Sequence, residues 1–320
     1  MIPENRGRVL LLHLAIVLAL FGAQFVLPPF HHGMVARIMV LSAYAVGYNL
    51  LLGYTGLMSL GHAMFFGAGM YGTGLTVYYL GVGAAEALLL GLLAAVVLSA
   101  VIGVITLRTT GVAFLIVTMM FAQVFFLTTL YFNAITGGDQ GLTLSGRLQP
   151  LHLGGLQLVF SHPAVKYNVA LVVFACCLML SIWVTRSPAG RVLIAIRENE
   201  DRTRMLGYNV FNYRLLALVL SGAVSGIAGS VWTLLFSYVG SSYASILYSI
   251  YPLLWTLLGG AGTALGPLVG AGFMTYIVDI ASGMTTAYLL AVGAALVIII
   301  MWLPTGVMGG VRNRWWPWLP

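Results

Sequence analysis

The 320 residues are 61% hydrophobic and only 7% charged, whereas a soluble globular chain carries roughly 25% charged residues. Polar groups are too few to cover a soluble domain of this size, so most of the exterior must face hydrocarbon, and the chain reads as a polytopic helical membrane protein. The formal net charge of +7 does not imply a nucleic-acid partner, because the basic residues sit in loops and at chain ends between apolar runs, the positive-inside pattern.

Each crossing needs roughly 20 apolar residues. The sequence predicts ten membrane segments, at 9–27, 35–52, 56–80, 84–107, 111–133, 166–185, 213–237, 246–260, 264–281 and 286–303. The first follows Arg6 and Arg8 like a signal peptide, yet it is too long for one and no small-residue cleavage site follows, so it reads as a retained span. With N- and C-termini cytoplasmic, Arg6, Arg8, Arg108, the stretch 186–214, Arg312 and Arg314 all fall inside. Arg37 alone falls near the outer end of its segment, where it is expected to snorkel to headgroups. Residues 134–165 become an external loop, and 1–320 reads as a single all-α transmembrane domain.

Two runs are rich in glycine: "GYTGLMSLGHAMFFGAGMYGTG" at 53–74 and "GGAGTALGPLVGAG" at 259–272. Gly262, Gly266 and Gly270 recur every four residues, as do Ser59, Ala63 and Gly67, and Gly222, Gly226 and Ser230. Small residues at that spacing let helices approach closely. Alternatively the runs are broken or re-entrant helices whose freed backbone lines a solute path. One interrupted segment in each half fits the repeat pattern of transporters, although the halves share no detectable sequence similarity. On the second reading the polar side chains within or beside these runs, Asn49, Thr55, Ser59, His62, Thr256 and Thr263, are the candidate translocation path, while a hydrogen-bonded packing role stays open for His62.

Several chemistries are missing. The only lysine is Lys166 and no G-x-x-x-x-G-K-[ST] occurs, so no P-loop is present and ATP-driven work belongs to partner subunits. The six histidines show no metal-ligand spacing, and the adjacent Cys176 and Cys177 suit neither a disulfide framework nor a metal site, so no cofactor is expected in the chain. Outside 186–214 the acids are Glu4, Glu86, Asp139 and Asp279, with Glu86 and Asp279 near outer helix ends. That weakens an ion-coupled secondary carrier or facilitator, which needs intramembrane carboxylates, and leaves it as the alternative class.

The stretch "RSPAGRVLIAIRENEDRTRMLGYNVFNYR", 186–214, holds six of the 14 basic and three of the seven acidic residues. Ser187 and Pro188 form a helix start, with Val192, Ala195 and Ile196 as an apolar stripe and Arg191 and Arg197 pointing elsewhere. Asn199 can cap a second short helix carrying Glu200 and Asp201 in its first turn, with Gly207 as its stop. If the helix runs through instead, Glu198 and Arg202 pair at i,i+4. A topology signal needs positive charge only, so three acids and two caps imply a docking partner.

The segment "SPAGRVLIAIRENEDRTRMLGYNVFNYRLLALVLSGAVSGIAGSVW" resembles the cytoplasmic loop and following helix of LivM-like permease subunits of branched-chain amino acid ABC importers. "GYTGLMSLGHAMFFGAGMYGTGL" is similar to that family's Gly-rich early helix and "LWTLLGGAGTALGPLVGA" to its late one, and with "WLPTGVMGG" the likeness extends over nearly the whole chain. It implies a permease subunit in a bacterial cytoplasmic (inner) membrane, paired with a homologous second permease, two ATP-binding subunits inside and an extracytoplasmic substrate-binding protein. The solute would be a branched-chain amino acid or a related small polar compound. The resemblance makes 199–207 the coupling helix, with Arg197, Glu198, Asn199, Glu200, Asp201, Arg202, Thr203, Leu206 and Gly207 as coupling residues. Asp201, Arg202, Thr203 and Arg204 stand where the family often has small or apolar residues, which implies an ATPase of complementary charge.

Overall fold

In a computed structural model the described residues, 5–153, 156–160 and 162–316, form an all-α bundle with two small strand pairs. Helices α1 (Asn5–Ala23), α2 (Pro29–Thr55), α3 (His62–Leu75), α4 (Ala84–Thr106), α5 (Gly111–Tyr131) and the single turn α6 (Asn133–Thr136) build the first half. The connecting region holds β1 (Leu142–Thr143) and the hairpin β2 (Leu151–Leu153) and β3 (Leu156–Leu158). The second half runs through α7 (Pro163–Arg186), the short α8 (Pro188–Glu198) and α9 (Glu200–Met205), and α10 (Val210–Phe236). It continues with β4 (Tyr238–Val239), α11 (Ile246–Gly259), α12 (Gly266–Met284), α13 (Tyr288–Trp302) and α14 (Gly306–Arg314).

Each predicted apolar segment contains a helix, and among the described residues six helices (α2, α4, α5, α7, α10 and α12) are long and apolar enough to cross a membrane. The third predicted segment is corrected at its start. Residues 56–61 are not helical, because Gly56 at φ 75° closes α2 and turns the chain back before α3 begins at His62. A five-residue π-turn, 76–80, extends α3 to its end.

The two halves repeat one plan. A 27-residue helix (α2 or α10) ends at a positive-φ residue, Gly56 or Ser237, and after an irregular linker a 14-residue half-length helix follows (α3 or α11). Each half-helix packs on the long helix of the other half, α3 on α10 and α11 on α2, while α2 and α10 touch at the centre. Strand β1 pairs with β4, Leu142 opposite Val239, and ties the inter-half region to the second linker.

Of the three small-residue ridges only one is continuous on a helix. Gly222 and Gly226 of α10 face Ser99 and Ala95 of α4, and Ser230 faces Gly91, with a hypothetical Cβ at Gly226 only 2.1 Å from the Ala95 methyl. The other two are corrected: Ser59 lies in the non-helical 56–61 stretch and Gly262 in the α11–α12 turn. Gly270 still lets α12 touch the backbone of α11 at Trp255, and Gly69 lets α3 touch that of α10 at Gly226.

Candidate functional site

The returning stretch 56–61 delivers the first turn of α3 into the interior, where its backbone groups need partners. Side chains from three helices and from the stretch itself supply them. The Tyr48 hydroxyl of α2 donates to the Ser59 carbonyl at 2.9 Å, Leu60 N–H donates to Thr118 Oγ1 of α5 at 3.3 Å, and Ala63 N–H donates to Ser249 Oγ of α11 at 2.9 Å. Ser59 accepts the Gly61 N–H at 3.1 Å. Ser249 sits in the first turns of α11, so the starts of the two half-helices meet.

His62, fully buried, has Nε2 2.7 Å from Ser221 Oγ of α10, and that hydroxyl donates to the Gly47 carbonyl of α2 at 2.6 Å. A carbonyl only accepts, so the single hydroxyl proton of Ser221 is committed to Gly47 and the imidazole must donate from Nε2. His62 thus donates from Nε2 and links α3, α10 and α2, with Tyr48 edge-on at 4.6 Å. Ser221, Ser249 and Tyr48 were not singled out from the sequence. Their only signal is polarity inside apolar helices, shared with many serines and tyrosines that merely pack.

Nearer the 186–214 end, Asn49 bridges α2 to the α11–α12 turn. Its Nδ2 donates to the Thr263 carbonyl and its Oδ1 accepts the Gly262 N–H, both at 2.9 Å. The turn needs left-handed backbone at Gly260 and Gly262, and Thr263 Oγ1 closes it by donating to the Gly260 carbonyl at 2.7 Å. Arg312 of α14 reaches the Gly262 carbonyl at 3.4 Å. The six sequence-predicted path residues thus divide. Ser59 and His62 share the half-helix junction, Asn49 and Thr263 share the turn, Thr256 approaches α2 at the Ala45 carbonyl at 3.5 Å, and Thr55 bonds only to Leu50 of its own helix. All six are buried.

On the far side of the half-helix junction lies a packed aromatic group. Phe66 of α3 contacts Tyr44 of α2, Trp232 of α10, Tyr243 and Tyr248, with ring centroids 4.9–6.3 Å apart. Arg37 is exposed, and its position on α2 is shared with an aromatic neighbour: its guanidinium lies 5.5 Å from the Trp232 ring.

The loop between α7 and α10 is two helices, so the run-through alternative with its Glu198–Arg202 pair does not form. Ser187 Oγ accepts the Gly190 N–H, Asn199 Oδ1 accepts the Arg202 N–H, and Gly207 stops the second helix at φ 87°. Val192, Leu193 and Ile196 bury the inner face of α8. Arg197 turns inward and donates to the Gly53 carbonyl near the end of α2. Glu200 does not project as a free contact. Its carboxylate takes both Nη atoms of Arg214 of α10, at 3.1 and 2.5 Å, and Arg204 at 2.8 Å. Thr203 is buried against the Asn199 carbonyl, whereas Glu198, Asp201, Arg202 and Leu206 are exposed. The most prominent apolar side chains here are Met205, 85% exposed, and Leu206, 74%, beside an open cleft of about 370 Å³ lined by Arg204 and residues 207–211. Met205 has no charge to mark it in the sequence, and only its exposure in the fold singles it out.

Membrane-capable helices around paired half-helices, with buried polar groups where these begin and a stiff loop at one end, mark a multi-pass helical membrane protein. The chain belongs to the branched-chain amino acid transport system permease component family, whose pattern matches residues 32–302. It is similar to the high-affinity branched-chain amino acid transport system permease protein LivM of Salmonella typhimurium, 26% identical over 294 residues, covering 86% of this chain and 69% of that one. Shorter likenesses are to the probable branched-chain amino acid transport permease protein LivH of Methanocaldococcus jannaschii (26%, 45% of this chain and 46% of that one) and the ribose import permease protein RbsC of Haemophilus influenzae (27%, 38% and 40%). No solved structure matches the chain.

Proposed function

We propose that this chain is one permease subunit of an ABC importer in a bacterial inner membrane, for branched-chain amino acids or a related small polar solute. Residues 1–320 form a single permease domain of ten crossings with both termini cytoplasmic, 134–165 external and 186–214 the cytoplasmic coupling loop. A homologous permease completes the pore, an extracytoplasmic binding protein delivers the solute, and two ATP-binding subunits supply the ATP site this chain lacks. The relatives' names support the solute class.

The solute path runs between the half-helices, past Ser59 and His62, and leaves through an inner gate made by the α11–α12 turn. Asn49, Thr263 and, alongside them, Thr256 and Thr55 belong to that inner section. Burial of all six residues supports an occluded state. Opening exchanges the Asn49 bonds for water, and a closed core switches between arrangements rather than deforming gradually.

The observation that carries the reading is the two-helix loop, capped at both starts, joined to α10 through Glu200–Arg214 and to α2 through Arg197, with Met205 and Leu206 exposed at its tip. Exposed apolar side chains on a stiff charged element fit a groove in a partner. Arg197, Glu200, Asn199 and Thr203 then give the lever its rigidity. Glu198, Asp201, Arg202, Leu206 and Gly207 lie on or beside the docking side. Replacing Met205 and Leu206 with Ser should abolish co-purification of the ATP-binding subunits without lowering the melting temperature of the chain. Undiminished co-purification would refute the docking assignment.

A further inference from the structure

Arg37, Leu41, Tyr44 and Tyr48 follow one another along α2 at spacings of four, three and four, and so share one face. Tyr48 on that face meets His62, and Tyr44 meets Phe66, Tyr248 and Trp255. The face of α2 that carries the polar junction and the aromatic group therefore also carries a cation, seven residues and about 10 Å further out than Tyr44. Arg37 is exposed, and its guanidinium lies over Trp232. Trp232 lies tilted against Phe236 with ring centroids 4.3 Å apart, and the ammonium of Lys166, from α7, lies 5.9 Å from the Phe236 ring. Two cations thus flank one aromatic pair where α2, α7 and α10 meet. Neither is among the ion pairs found in the described residues, all of which lie at the other end, between Glu200 or Asp201 and Arg204 or Arg214.

An ionisable side chain within a spanning helix is costly and ordinarily faces an interior path, where a partner compensates it. The aromatic face holds the guanidinium in place without neutralising it, and its planar fork matches a carboxylate in two parallel hydrogen bonds. We propose that Arg37, backed by Trp232 and assisted by Lys166, is the entry anchor for the carboxylate of an incoming solute. The aromatic group of Tyr44, Phe66, Tyr243 and Tyr248 lies deeper on the same route and receives the solute's apolar side chain. The inference rests on the permease reading above and narrows it: the site selects carboxylate-bearing solutes with apolar side chains and has no use for neutral amides.

The test uses the assembled transporter with its binding protein in proteoliposomes, in a Cys176→Ser, Cys177→Ala background, with labelled L-leucine and labelled acetamide as probes. Arg37→Gln should lower leucine uptake at least tenfold with basal ATP hydrolysis unchanged, and Arg37→Lys should retain part of it. Arg37→Cys should be inactive, regain uptake with a cationic trimethylammonium thiol reagent but not with a neutral reagent of the same size, and be protected from both by leucine. Should Arg37→Gln fail to assemble, Lys166→Gln is expected to reduce leucine uptake in the same direction. Wild-type leucine uptake in Arg37→Gln, or rescue by the neutral reagent, would overturn the anchor. A loss seen with phosphatidylglycerol vesicles and absent with pure phosphatidylcholine would assign Arg37 to lipid headgroups instead. Wild-type uptake of acetamide but not leucine would overturn the carboxylate class while leaving the permease reading standing, whereas uptake of neither, with no ATP-binding subunits attached, would remove that reading itself.

Discussion

Asn49→Leu isolates the inner gate. The substitution nearly conserves volume but removes both bonds to the α11–α12 turn, leaving the Gly262 N–H and the Thr263 carbonyl buried and unpaired. At about 1–3 kcal/mol for each orphaned group, the closed arrangement loses about 2–6 kcal/mol. Opening to water relieves that cost, so even the lower figure multiplies the open fraction roughly 30-fold, at about 1.4 kcal/mol per factor of ten. Arg312 still reaches the turn at the Gly262 carbonyl and Arg197 still holds the end of α2 at the Gly53 carbonyl, which keeps the variant foldable. The assay is the rate at which a membrane-impermeant thiol reagent labels Ala264→Cys, a buried neighbour, in inside-out vesicles without Cys176 and Cys177. A rise of that order is expected, together with ATP hydrolysis that no longer drives uptake. An unchanged labelling rate in a properly assembled complex would refute the gate.

Further outcomes follow from the same geometry. Arg214→Glu or Glu200→Arg alone should reduce solute uptake about tenfold while ATP-binding subunits stay attached, and the double exchange should restore most of it, as expected for two residues that act as one joint. Failure of the exchange to recover uptake would make Glu200 a partner contact instead. Gly69→Ala places a methyl 2.0 Å from the Gly226 carbonyl and should destabilise the α3–α10 contact by about 1–3 kcal/mol, read as a lowered melting temperature in detergent. Gly33→Ala, with open space around it, should leave the melting temperature unchanged.

The helical segments were legible because apolar runs of spanning length are the strongest sequence signal a chain can carry. Local chemistry was legible as well: Ser187, Asn199 and Gly207 cap and stop helices by rules that depend on a few neighbouring residues. Pairings between distant segments were not. Nothing in the sequence ties His62 to Ser221 or Asn49 to Gly262, residues 159 and 213 positions apart, because those bonds exist only once α2, α3, α10 and α11 are packed. Spacing misled at Gly262, whose four-residue interval to Gly266 imitates a helical ridge while its left-handed φ serves a turn. Charge alone did not reveal the partner of Glu200, because Arg214, 14 residues on, meets it only once α10 folds back against α9. For Arg37 the sequence shows the position on the helix, and the packing of α10 adds the ring it covers.

Under the proposed function, solute crosses this chain only when partner subunits hydrolyse ATP and move the loop at 186–214. Uptake of labelled leucine by proteoliposomes, with the purified chain alone and with its co-purified subunits and binding protein, tests it most directly. Under that function, ATP-dependent accumulation in the complete assembly and no flux through the chain by itself are expected. Saturable flux through the isolated chain without ATP would contradict it.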